Sequence, residues 1–146
     1  MATFTASACQ TSSSGFFLNP PRYNYEGMNV RAATYTFGAA QSAGDVIQMV
    51  PVPKGALIHD VVVNYAGLGG GALTTTVGDG NSTTRYFGSV STNVANVVHA
   101  TKGTGYSYST EDTIDVIVGT ATSASANTSI YLAVLYSVDN AGDGTT

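Results

Sequence analysis

Runs of β-branched, aromatic and other apolar residues recur roughly every 10–12 residues along this chain, each cut off by glycine, proline or an Asn/Asp turn. The clearest are 56–65 (ALIHDVVVNY) and 129–138 (SIYLAVLYSV). Others lie at 31–37, 46–50, 73–77, 83–90 and 113–118. Runs this short, and this rich in valine, isoleucine, threonine and tyrosine, favour a pleated strand over a helix. Segment 93–100 fits a short strand or a single helical turn, and 106–108 a short strand. Gly78-Asp79-Gly80-Asn81 is a turn made of residues that tolerate positive φ. The run at 129–138 is apolar on both faces, which places it inside a sheet. The pattern predicts about eight strands in an all-β, antiparallel β-sandwich of jelly-roll type.

Composition removes other classes. Only 10% of the 146 residues are charged and 43% are hydrophobic, with twenty Thr, fourteen Ser and seventeen Gly. That excludes a charged disordered tail and disfavours a helical bundle. Five basic against nine acidic residues leave a net charge of −4. Arg22, Arg31, Lys54, Arg85 and Lys102 are scattered singly. No basic cluster exists to neutralise a phosphate backbone, so no nucleic-acid partner is expected. A lone cysteine, Cys9, excludes an internal disulfide and a Cys-based zinc site. No apolar run reaches the roughly 18 residues of a membrane span. Residues 1–14 lack the basic and apolar regions of a secretory signal, so synthesis and folding in a cytoplasm are expected.

The chain divides into residues 1–29, 30–140 and 141–146: an extended N-terminal arm, the β-sandwich and a flexible tail. The arm shows no period of 2 or 3.6 and carries apolar anchor points at Phe16, Phe17, Pro20, Pro21, Tyr23 and Tyr25. Such anchors suit packing on the chain's own body or on a neighbouring subunit. These six are the candidate partner and oligomer contacts.

Raw material for catalysis is thin. Strict alternation places Leu57, His59, Val61 and Val63 on one face of their strand, with Asp60 and Val62 on the other. His99 fits a surface loop. Two histidines without metal-ligand spacing predict no metal site and no cofactor. Asp79-Gly80-Asn81 resembles part of a calcium loop, but Thr83 and Arg85 stand where acidic ligands are needed, so a tight turn is expected. Glu111, Asp112 and Asp115 read as a solvated strand edge, with Asp115 pointing away from Ile114, Val116 and Val118 into water. Gly67–Gly71 lacks the Lys-Ser/Thr of a phosphate loop. Tyr106 and Tyr108, two apart, and Tyr131 and Tyr136 are the candidate rings for a sugar platform. A small enzyme on the same scaffold would have to gather His59 or His99 with carboxylates. No enzymatic activity is expected.

The run 45–63 (DVIQMVPVPKGALIHDVVV) leads from an apolar strand through a Pro-Lys-Gly-Ala turn into a second apolar strand. With 76–87 (TVGDGNSTTRYF) and 130–136 (IYLAVLY), it resembles small structural proteins of tailed bacteriophages, above all head decoration, or cement, proteins. The resemblance covers roughly residues 31–138. It implies a virion structural protein on the outer capsid surface, made in the bacterial host cytoplasm. It also implies the major capsid protein and the chain itself, as a homotrimer, as partners, with binding at capsomer junctions that stabilises the shell. The other reading is a tail-fibre or receptor-binding module that binds a glycan.

Overall fold

The computed structural model describes residues 1–5, 28–37, 41–66, 74–92, 94–120 and 128–138. Those residues form nine strands: β1 (Thr3–Thr5), β2 (Asn29–Thr36), β3 (Val46–Val52), β4 (Ala56–Tyr65), β5 (Thr74–Asp79), β6 (Ser82–Ser91), β7 (Asn96–His99), β8 (Asp112–Thr120) and β9 (Ser129–Val138). They make two sheets, ordered β1-β3-β8-β5-β6 and β2-β9-β4-β7. The ambiguous segment 93–100 supplies a strand at 96–99, and 106–108 makes only the isolated bridge Leu57–Ser107.

The topology is that of one long antiparallel ribbon rolled over on itself. β5 pairs with β6, β4 with β7, β3 with β8 and β2 with β9, nested around the turn at Gly80-Asn81. Rolling the ribbon creates the pairs β4–β9 and β5–β8, which complete the two sheets. This is the jelly roll. β9 lies between β2 and β4, as its two apolar faces require. β1 is the one parallel addition, with Thr3 to Thr5 alongside Val46 to Gln48. Asp45 anchors it, accepting hydrogen bonds from the amides of Ala2 (2.9 Å) and Ser42 (2.8 Å). Those amides hold its carboxyl below the usual range.

The core between the sheets is aliphatic in the middle and aromatic at the ends. Ile47, Val50, Val77, Ile114, Val116 and Val118 face Ile58, Val61, Val63, Ile130, Leu132 and Val134 across it. Tyr65 is fully buried and places its hydroxyl 2.8 Å from the Thr75 hydroxyl. Burial pushes that phenol up to about 12, the threonine pulling slightly the other way.

Two irregularities change which residues face out. The register slips between Ile58 and Asp60 against β9. This bulge resets the alternation, so Leu57, His59, Asp60, Val62 and Asn64 all face outward, and Val61 and Val63 point into the core. Strict alternation had put His59 with Val61 and Val63; the extra residue is why it does not hold. At Gly78, a Cβ would lie 2.0 Å from the Ser82 carbonyl oxygen. The start of β6 therefore folds closely over the outer side of β5, and only glycine admits it.

Candidate functional site

Two features stand out: a polar clamp at one edge of the sandwich and an almost uncharged outer face on the four-stranded sheet.

The clamp is built on the β5–β6 turn. Asp79 ends β5 with its side chain fully buried, and its Oδ1 accepts from the amides of Asn81 (3.0 Å) and Ser82 (2.8 Å). Arg85, on β6, reaches back across the hairpin. Its Nε donates to Asp79 Oδ2, and its Nη2 to Oδ1 at 3.3 Å, in the two-pronged arrangement a guanidinium favours. Tyr108 then donates its hydroxyl proton to Asp79 Oδ2 at 2.8 Å. Each hydroxyl has one proton, so Tyr86, 2.7 Å from the Tyr108 oxygen, must donate to it. The Arg85 guanidinium lies 3.6 Å from the centre of the Tyr106 ring, which meets Tyr108 edge-on at 4.9 Å. Asp79, Arg85, Tyr106 and Tyr108 close a loop of contacts, and Tyr86 joins it through Tyr108.

Burial works against ionising Asp79, but Arg85, Tyr108 and the two amides outweigh it and hold the carboxyl below its usual range. Burial raises both Tyr86 and Tyr108, so neither phenol is a candidate base. What this arrangement does is hold the chain together. The segment carrying Tyr106 and Tyr108, 100–108, runs along β4 beyond the end of β7. Its hydrogen bonds join Ala100 to Val61, Gly105 and Tyr106 to Ile58, and Tyr108 to Ala56 and Gly55. It also touches β6, where the Thr101 amide donates to the Tyr86 carbonyl at 3.2 Å. Gly103, with φ of 76°, passes so close to β6 that a Cβ would sit 2.6 Å from the Arg85 carbonyl oxygen. The segment thus closes the side of the sandwich between the two sheets, and Asp79 fastens it.

Tyr106 and Tyr108 are therefore not a sugar platform: Tyr108 is buried and the face of Tyr106 is covered by Arg85. Tyr131 is exposed and Tyr136 buried, on opposite faces of β9. The clamp was partly legible. Asp79 and Arg85 flank a tight turn, but nothing local in the sequence ties Tyr108 to them.

On the outer face of the four-stranded sheet the register sets Val30 beside Leu135 and Asp60. The next row is Ala32, Ala133, Val62 and His99, and then Thr34, Tyr131, Asn64 and Val97. His99 is thus on a strand rather than in a loop, and its Nδ1 lies 2.9 Å from Asp60 Oδ2. His59 Nε2 lies 2.8 Å from the Ser137 hydroxyl. Both pairs are exposed on an open sheet.

On the five-stranded sheet, Asp115 points away from the core as alternation requires, yet it is only 5% exposed. It sits between Gln48 and Gly78, on the side over which β6 folds, and its Oδ1 meets no donor. The solvated edge expected at Glu111, Asp112 and Asp115 is corrected here: the third carboxyl is inside. Burial, partly relieved by Thr113 and reinforced by Asp112 and Asp79, pushes it up to about 7. Among the described residues no group of three His, Cys, Asp or Glu side chains is placed to hold a metal ion. Phe16, Phe17, Pro20, Pro21, Tyr23 and Tyr25, and the Gly67–Gly71 run, lie outside the described residues.

No protein-family model matches the chain, and no curated protein does. Solved structures do. One similar chain is in the cyanophage Pam1 capsid asymmetric unit, with a TM-score of 0.71 and 24% identity over 88% of this chain and 97% of that one. Another is in the capsid of Ralstonia phage GP4, with a TM-score of 0.71 and 19% identity over 94% and 98%. A third is in the acidic stable capsid of Helicobacter pylori bacteriophage KHP30, with a TM-score of 0.60 and 16% identity over 77% and 89%. At these identities the likeness is one of fold.

Proposed function

We propose that this chain is a virion structural protein without enzymatic activity: a decoration, or cement, subunit on the outer surface of a phage head. The observation that carries this reading is the fold match to chains from three phage capsids, each covered over at least 89% of its own length. Those chains are thus about the size of this one. A closed jelly roll fastened along its side by a buried polar clamp suits a rigid block whose work is adhesion.

In this reading the subunit binds the major capsid protein where capsomers meet and associates with itself as a homotrimer. Binding only to the assembled shell stabilises that shell by mass action, without any reaction. A standard protein interface buries about 1,600 Å² in total, and a shell offers many equivalent positions. The arm, through Phe16, Phe17, Pro20, Pro21, Tyr23 and Tyr25, is the proposed reach across a subunit boundary.

Particles made without this chain are expected to assemble but to release their DNA at lower temperature than complete particles. DNA release on heating, with microscopy locating the subunit on the head, is the measurement. Equal heat resistance, or a subunit seen only on the tail, sinks the proposal. A chain lacking residues 1–29 is expected to occupy fewer head positions; unchanged occupancy removes the arm from the contact.

A further inference from the structure

β1 sits in the fold differently from every other described strand. It alone runs parallel to its neighbour, and it lies on the edge of β3 opposite β8. Its hold is made through backbone. The Val46 amide donates to the Ala2 carbonyl at 2.9 Å, and Thr3, Phe4 and Thr5 align with Val46, Ile47 and Gln48. The Asp45 carboxylate accepts the Ala2 amide and so fixes the register of the strand it receives. The connection that follows is out of proportion. Residues 6–28 join β1 to β2, twenty-three residues, where no other connection between described strands exceeds the twelve of 100–111. Its two ends lie close together: Thr5 is beside Gln48, and Arg31 of β2 donates to the carbonyl of Pro51, three residues further along β3. That gap is on the order of 20 Å, at ~3.4 Å per strand residue and ~10 Å between sheets. A connection of this length reaches up to ~80 Å.

We propose that the edge of β3, with Asp45, is a strand-acceptor site that takes residues Ala2–Thr5 of a second copy of this chain, each copy giving its strand and receiving another. The seat itself names that occupant. The segment that fits is the one it holds, and an identical segment from a neighbour makes identical bonds. Nothing in the seat favours the chain's own strand; only the tether does, and a tether acts as a local concentration of roughly a millimolar. The surplus length removes the usual obstacle, since a neighbour's seat tens of ångströms away lies within reach too. Left empty, β3 would present unpaired backbone groups at an edge, and Asp45 would lose a donor, so a filled seat is favoured either way. Exchange of an identical element is a low-cost route to association. That copies packed on a shell meet at such concentrations rests on the decoration reading; the exchange itself does not.

Disulfide trapping on the free, full-length chain tests it. In a Cys9→Ser background, one chain carries Thr3→Cys and another Val46→Cys; these register partners on neighbouring strands stand within disulfide range. Mixed in a glutathione buffer, the two are expected to form a mixed dimer whose yield rises at least about tenfold between about 10 μM and about 1 mM. Replacing the Val46→Cys chain with Ser89→Cys, exposed on β6, is expected to give only background. A chain carrying both Thr3→Cys and Val46→Cys is expected to close on itself at about 10 μM and then to stay monomeric when concentrated, because its strand can no longer leave. A mixed dimer at about 1 mM no more abundant than the Ser89→Cys background overturns the exchange. Failure of the double variant to close overturns it as well, since the β3 seat would not hold β1. Either failure leaves the decoration reading standing, because that is read on particles by heat release and microscopy.

Discussion

Replacing Arg85 with leucine is expected to destabilise the fold by about 3–5 kcal/mol, because it leaves the Asp79 carboxylate buried with its main partner gone. The pair itself is not the source of that number. Two charges taken out of water roughly offset their mutual attraction, and the loss comes from stranding one of them. The double variant Asp79→Asn/Arg85→Leu is therefore expected to recover at least half of the loss, since no charge remains to be stranded. Tyr108→Phe tests the far side of the clamp. It removes one donor to Asp79 and orphans the Tyr86 hydroxyl, a cost of about 1–3 kcal/mol. Urea unfolding reads all three, with Arg85→Leu moving the midpoint by roughly 2 M at a slope of about 2 kcal/mol/M. Acid adds an independent check. The Asp79 carboxyl sits below its unfolded value, so wild type loses this contribution as pH falls through the unfolded value and then the folded one. In Arg85→Leu that acid loss should shrink or reverse. An Arg85→Leu protein within about 1 kcal/mol of wild type would show that Asp79 is not held as described.

How much of this could be read beforehand depends on how local each cause is. The strands 56–65 and 129–138 have the bounds expected of them, because turn and polar residues flank runs dominated by β-branched, aromatic and other apolar residues. The segment 93–100 is ambiguous alone: four strand residues are too few to establish a period, and only pairing with Val62–Tyr65 decides the matter. The bulge beside His59 has no residue signature. It arises from how β9 lies against β4, and it sets His59 on the outer face with Asp60 and His99. Asp115 shows the same limit. Alternation correctly turned it away from the core, but whether an outward residue meets water depends on what folds over it. Here its register partner Gly78 lies directly under the start of β6. The nested strand order follows from sheet closure, which needs the whole set of strands.

Asp115 leads to the second large effect, and its sign is opposite to that of Asp79. Its folded value, about 7, lies above the ordinary carboxyl value of 3.8, so between those limits the folded chain holds a proton that the unfolded chain has released. Stability then falls as pH rises from about 4 to about 7, and above that the full cost of a buried carboxylate is carried, on the order of 2–4 kcal/mol. Below about 4 the group is neutral in both states and contributes nothing to the slope. Asp115→Asn removes the ionisation and keeps the shape. Its amide introduces a fixed cost or gain of its own, which cancels when the difference from wild type at pH 8.5 is compared with that at pH 4. We expect that comparison to move in favour of Asp115→Asn by about 2–4 kcal/mol, read by urea unfolding at each pH. Asp79 and Asp45 pull the other way in acid, since hydrogen bonds hold both carboxyls below the usual range. Wild type should therefore be most stable on the acid side of neutral, with the maximum moving upward in Asp115→Asn. A difference between the two proteins that does not change with pH would mean that water or a donor reaches Asp115 Oδ1, and that β6 does not seal the outer side of β8.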